Sequence, residues 1–108
     1  FYKKELADIK EISFVEEPEG FYSNRWLTTI LTDSFDTREK IRLGLDKENI
    51  ESRPLCKPMH LQPIFQEYPA YTDGTSEDLF NRGLCLPSGS NLTDEEVQRT
   101  VYHIKSIF

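Results

Sequence analysis

The sequence predicts an α+β domain, a small and mostly antiparallel sheet flanked by helices. Three observations carry that expectation. Phe21 to Thr32 contains the aromatic and β-branched run Trp26-Leu27-Thr28-Thr29-Ile30-Leu31, which suits a strand. The closing stretch repeats apolar residues at Val97, Val101, Ile104 and Phe108, the spacing of one helix face. Between them, short strand-like and helix-like segments alternate, separated by Pro and Gly, in a chain of 108 residues that is long enough for one core.

Each element has its own signal. Phe1, Tyr2, Leu6 and Ile9 lie near helical spacing and read as the end of a helix. Ile12 to Val15 suits a short strand, stopped by Pro18 and Gly20. Phe21 to Thr32 reads as the central strand, with apolar residues on both faces and Trp26 in the core. Asp36 with Glu39 predicts an N-cap and capping box for a helix over 37–48 that turns Ile41 and Leu45 inward. Ile50 to Pro54 can extend beside the central strand, and Pro58 to Tyr71 reads as loop or broken helix. Ser76 is expected to cap a short helix whose first turn carries Glu77 and Asp78, and Gly83 to end it in the left-handed conformation. Leu84-Cys85-Leu86 is a brief strand before Pro87. Thr93 and Glu96 form a capping box for the last helix, with Leu92 and Val97 as its hydrophobic staple; His103 falls one position off the apolar stripe and is expected to be exposed.

Composition narrows the functional classes. A net charge of −6 argues against nonspecific nucleic-acid binding, which needs a basic stripe to neutralise phosphates. An apolar share of 37% with a mean hydropathy of −0.58 implies a thin core plus a face that packs on something else. Cys56 and Cys85 have no Cys-x-x-Cys spacing and no histidine cluster, so no metal site is expected. No run of about 18 apolar residues points to a membrane, and the expected compartment is the cytoplasm.

The richest segment is Glu51 to Phe65, where Arg53, Lys57 and His60 alternate with Pro54, Pro58 and Pro63. Proline fixes φ and bars regular helix or central strand, so these side chains project from a stiff, extended loop. Two permanent cations and an imidazole on such a loop suit an anionic ligand such as a nucleotide phosphate. An ion pair of Arg53 with Glu51 or Asp46 is the competing reading. Met59 and Leu61 line the same wall or belong to the core. Asn24 and Arg25, at the start of the predicted strand, either face a cleft or make strand-end hydrogen bonds. The loop Ser88-Gly89-Ser90-Asn91 precedes a helix amino terminus whose amides the capping box already uses.

Several strings in order resemble one family. Tyr22-Ser23-Asn24-Arg25-Trp26, Ile50-Glu51-Ser52-Arg53-Pro54-Leu55, Lys57-Pro58-Met59-His60-Leu61-Gln62-Pro63, Ser76-Glu77-Asp78-Leu79-Phe80, Gly83-Leu84-Cys85-Leu86-Pro87-Ser88-Gly89 and Leu92-Thr93-Asp94-Glu95-Glu96 resemble the late part of the DegT/DnrJ/EryC1/StrS sugar aminotransferases. The likeness spans essentially the whole chain and is strongest to the branch that aminates UDP-linked 4-keto-6-deoxy-N-acetylhexosamines. It implies that residues 1–108 are the C-terminal small domain of a fold-type I pyridoxal-phosphate enzyme. The lysine and acid that bind pyridoxal phosphate would then lie outside this chain, leaving no catalytic residue and no bound cofactor in this portion.

The resemblance further implies that Arg53, Lys57, Met59, His60 and Leu61 contact a UDP-linked keto-sugar, with Asn24 and Arg25 as secondary candidates. It implies glutamate as amino donor and a homodimeric enzyme, with neither nucleic acid nor membrane as partner. Cys56 departs from the tryptophan expected there, which leaves a smaller, softer wall. On the residues alone, a stand-alone acidic binding module that uses the Arg53–Pro63 loop for a protein partner is the alternative. A domain cut from a larger enzyme should also show an apolar surface near its first helix and the loop.

Overall fold

The computed structural model describes residues 1–108. Four strands, β1 (Ile12–Phe14), β2 (Thr28–Thr32), β3 (Arg53–Pro54) and β4 (Gly83–Leu86), form one sheet in the order β1-β2-β4-β3, antiparallel throughout. Helices α1 (Tyr2–Glu5), α2 (Phe35–Lys47), α3 (Thr75–Arg82) and α4 (Asp94–Lys105) accompany it, giving the expected two-layer α+β architecture. No helix is long and apolar enough to cross a membrane, and no three metal-ligating side chains come together.

Pairing sets the two faces of the sheet. Ile30 lies opposite Leu84, Thr28 opposite Leu86 and Ile12 opposite Thr32. The core is built from Ile12, Ile30, Leu84 and Leu86 of the sheet, Ile41 and Leu45 of α2, Ile50 just after α2, and Val101 and Ile104 of α4, with Tyr2 and Leu6 closing one end. Each fully buried aliphatic side chain contributes about 1.5–3 kcal/mol. A surface ion pair contributes about 0–1 kcal/mol. The sheet–helix seam therefore dominates the stability. The other face carries the row Thr29, Cys85, Arg53, none of it fully buried. Burial on both faces of the central strand does not occur.

Two local expectations hold. Ile41 and Leu45 are fully buried. Thr93 accepts from the Glu96 backbone N–H at 3.2 Å, and the Glu96 carboxylate accepts from the Thr93 N–H at 2.8 Å, completing the capping box.

The fold corrects others. The segment before Thr28 is irregular, because β1 ends at Phe14 and offers it no partner; Asn24 Oδ1 accepts from the Trp26 N–H at 3.1 Å, and Arg25 has φ 54°. Trp26 is 77% exposed rather than in the core. Ser34, not Asp36, caps α2, its hydroxyl accepting from the Thr37 N–H at 3.2 Å, and Glu39 turns instead to Arg42. β3 pairs with β4 and not with β2. Helix α3 begins after Gly74 (φ 84°), with Asp73 Oδ1 accepting from the Thr75 N–H at 3.0 Å, so Ser76 is inside the helix. Gly83 is extended (φ −90°, ψ 139°) because it opens β4; a Cβ there would collide with the Leu55 side chain and the Leu79 carbonyl, so close approach, not handedness, requires glycine. Phe108 lies beyond α4 and is half exposed, while Ile107 packs on the core. His103 is only partly exposed, 3.7 Å from Glu48.

Polar contacts fix α3 to the sheet. Thr32 Oγ1 donates to the Arg82 carbonyl at 3.0 Å, and Arg82 Nη1 returns a bond to the Thr32 carbonyl at 2.9 Å. Arg38 is nearly buried, yet its Nε donates to the Asn81 carbonyl at 3.1 Å and its Nη1 meets Glu39 at 2.9 Å, so the charge is paired. Helix α3 is thereby a rigid neighbour for the loop that precedes it.

Candidate functional site

Arg53, Lys57, Met59, His60 and Leu61 all lie on one segment that leaves the sheet at β3. Arg53 sits in the sheet opposite Cys85, on the face the helices leave uncovered. Its guanidinium engages the Glu51 carboxylate, Nε to Oε1 at 2.7 Å, with 77% and 73% of the two side chains exposed. Of the two ion-pair partners expected from sequence, the pair with Glu51 forms. Leu55 donates its N–H to the Gly83 carbonyl at 3.2 Å, and the buried ring of Pro58 anchors the base of the loop.

Two 3₁₀ turns, Met59–Leu61 and Pro63–Phe65, then carry the chain outward. Lys57 is exposed, its carbonyl accepting from Gln62 Nε2 at 3.4 Å. Met59 is 60% exposed and Leu61 partly buried. Neither belongs to the core cluster. His60 Nε2 lies 2.7 Å from Glu77 Oε1 on the first turn of α3. In the sequence, Glu77 stands out as a first-turn helix acid within the family-like string Ser76-Glu77-Asp78-Leu79-Phe80, not as a partner of His60. Separated by 17 positions, the pair has no local spacing that announces it.

Asn24 and Arg25 occupy a different region. They belong to the segment between β1 and β2, at the opposite edge of the sheet from β3. Arg25 helps to line a cleft of about 700 Å³ whose apolar wall includes Phe1, Phe14, Val15, Phe21, Tyr22 and Leu27. None of the five loop residues lines that cleft. Glu17 organises the segment, accepting from the Ser23 N–H at 2.6 Å and pairing with Arg25 at 3.1 Å. The seven candidates thus form two groups.

The electrostatics concentrate in ion pairs of the scaffold. Hydrogen bonding by Arg42 holds the Glu39 carboxyl below its usual range, and Arg82 does the same for Asp78. Burial pushes the Cys85 thiol up, so it is a poor nucleophile, while Cys56 is exposed. Every lysine (Lys3, Lys4, Lys10, Lys40, Lys47, Lys57 and Lys105) is exposed. None is a desolvated amine of the kind a carbonyl cofactor requires, and the residues of this chain do not fit such a cofactor.

The structure is a two-layer α+β scaffold with a proline-rich loop at one sheet edge. The chain belongs to the DegT/DnrJ/EryC1/StrS aminotransferase family, whose match spans residues 1–105. It is 42% identical, over 99% of its own length and 29% of the relative's, to EpsN of Bacillus subtilis (strain 168), whose name places it among pyridoxal phosphate-dependent aminotransferases. GDP-perosamine synthase of Escherichia coli O157:H7 is 35% identical over 97% of this chain and 29% of its own length. Among solved structures, the aminotransferase TlmJ from Streptoalloteichus hindustanus shares the fold with a TM-score of 0.85 at 19% identity, over 98% of this chain and 28% of that one. The chain therefore spans about 29% of the length of these curated relatives.

Proposed function

We propose that this chain is the C-terminal small domain of a pyridoxal-phosphate-dependent aminotransferase that passes an amino group to a nucleotide-linked keto-sugar. The family match over residues 1–105, in a chain spanning under a third of its relatives' length, carries the reading. The relative named GDP-perosamine synthase supports a nucleotide-sugar substrate. The finer reading is a UDP-linked 4-keto sugar, glutamate as donor, a homodimer and a cytoplasmic setting. A pyridoxal cofactor carries the difficult chemistry and leaves binding and orientation to the protein.

This domain's part is binding. Arg53 offers a planar fork for a phosphate, Lys57 adds a point charge, and His60 contacts the sugar beside Met59 and Leu61. Asn24 and Arg25 serve at the second region, on the edge of the apolar cleft. Exposed Phe21 (74%), Tyr22 (91%) and Trp26 (77%) are the surface that packs against the remainder of the enzyme.

The test separates the domain from the whole. The enzyme bearing this domain should aminate a UDP-4-keto-hexosamine with glutamate. The 108-residue chain, treated with pyridoxal phosphate and borohydride, should show no stoichiometric labelling of any one lysine on peptide mapping. Labelling of a single lysine would contradict the assignment of the cofactor to another part of the enzyme.

A further inference from the structure

The segment from Cys56 to Thr72 makes a single hydrogen bond to the rest of the fold. Its backbone bonds run inward, Leu61 to Pro58, Gln62 to Met59, Phe65 to Gln62 and Tyr68 to Phe65. Gln62 also bonds within the loop. Only His60 Nε2 to Glu77 Oε1, at 2.7 Å, leaves it. Glu77 stands on α3, which Arg82, Thr32 and Arg38 tie to β2 and α2. Beyond the buried ring of Pro58 at its base, the loop is therefore pinned through its histidine to α3.

We infer that Glu77 is the positioning residue for His60: it holds the ring through Nε2 and turns Nδ1 toward the sugar. The inference rests on the nucleotide-sugar reading and deepens it. An ionised carboxylate only accepts, so Nε2 must donate, and the neutral ring keeps its lone pair on Nδ1. Nδ1 has no protein partner, and Ser52 Oγ is the sole buried side-chain polar atom left unpaired, so Nδ1 is open to solvent. A lone pair held there accepts from a hydroxyl or an amide N–H. It is matched to the hexose and not to the phosphates, which fall to Arg53 and Lys57.

The test is a double-mutant cycle in the enzyme that carries this domain, read as Kd for UDP-N-acetylglucosamine and GDP-mannose, with UDP and GDP as controls. His60→Ala and Glu77→Leu should each weaken the nucleotide-sugar that the wild type binds by about tenfold. The double variant should be no worse than His60→Ala. Glu77→Gln, whose amide oxygen still accepts, should restore binding, and the bare nucleotide should bind all variants equally.

A normal Kd for Glu77→Leu beside a weakened His60→Ala, or additive losses, overturns the role of Glu77 alone. An unaffected His60→Ala, or binding of neither sugar, overturns the nucleotide-sugar reading with it. Should Glu77→Leu fail to fold, ring-nitrogen NMR of the wild-type enzyme with isotope-labelled histidine decides. His60 must show protonated Nε2 and bare Nδ1; the opposite tautomer refutes the inference.

Discussion

The Arg53 guanidinium meets Glu51 with both side chains largely in water, and a pair of that kind is worth about 0–1 kcal/mol. A phosphate that replaces Glu51 offers a bidentate, charge-assisted contact of about 1.5–3 kcal/mol. The exchange favours the ligand, but Glu51 remains a competitor for the same fork. Glu51→Gln should therefore lower KM for the nucleotide-sugar a few-fold and leave the melting temperature within about a degree, since surface changes are nearly neutral. A rise in KM would show that Glu51 helps the ligand instead. Trp26 differs at this scale. An indole on a β-rich stretch fits a core or a docking surface equally well, and only the missing strand partner at Phe14 shows that it is exposed.

Among the elements, some contacts three or four residues apart were legible in sequence. Thr93 with Glu96, and Ile41 with Leu45, are such cases. The α2 cap was misplaced because Ser34 and Asp36 are both capping types, and the end of β2 decides between them. The pairing of β3 with β4, and of His60 with Glu77, depends on contacts distant in sequence, which no local pattern encodes.

Two substitutions probe the elements directly. Thr93→Ala should cost about 1 kcal/mol in urea unfolding, because it deletes the acceptor for the Glu96 N–H. Gly83→Ala should cost about 1–3 kcal/mol, because its Cβ must displace the Leu55 side chain or the strand. If Gly83→Ala melts like wild type, the close approach of the loop to β4 is wrong.

Acid should loosen the same helices. Hydrogen bonds from Thr93 hold the Glu96 carboxyl below its usual value, and Arg82 holds that of Asp78 low. For a depressed carboxyl the stabilisation is complete above the unfolded value, 4.5 for Glu96 and 3.8 for Asp78. It is lost as pH falls through the lower folded value. Urea midpoints should hold from neutral pH down to about 5 and then decline, and Glu96→Gln should blunt the decline. A midpoint that is flat into strong acid would contradict these contacts.

At the scale of the molecule, apolar side chains stand exposed in two places. Phe1, Phe21 and Tyr22 line the cleft beside β1, with Trp26 exposed on the same segment, while Met59, Ile64, Tyr68 and Tyr71 stand on the loop beyond β3. A surface near the first helix was expected from the thin core; its separation from the loop by the width of the sheet was not, since strand order is invisible to composition. Patches of this kind favour association, so the 108-residue chain should sediment with a concentration-dependent mass. A strictly monomeric profile would weaken the assignment of those faces to other parts of the enzyme.

In the whole enzyme, the loop from Arg53 to Leu61 is assigned to hold the nucleotide-sugar while the chemistry lies elsewhere. Steady-state kinetics of that enzyme carrying Arg53→Ala, Lys57→Ala and His60→Asn, each with normal cofactor content, test this division of labour most directly. KM for the nucleotide-sugar should rise by about one to two decades for Arg53→Ala. The rise should be smaller for Lys57→Ala, and His60→Asn should weaken binding without changing the shape of the kcat–pH profile. Wild-type KM in all three variants would contradict the assignment and reduce the loop to scaffold.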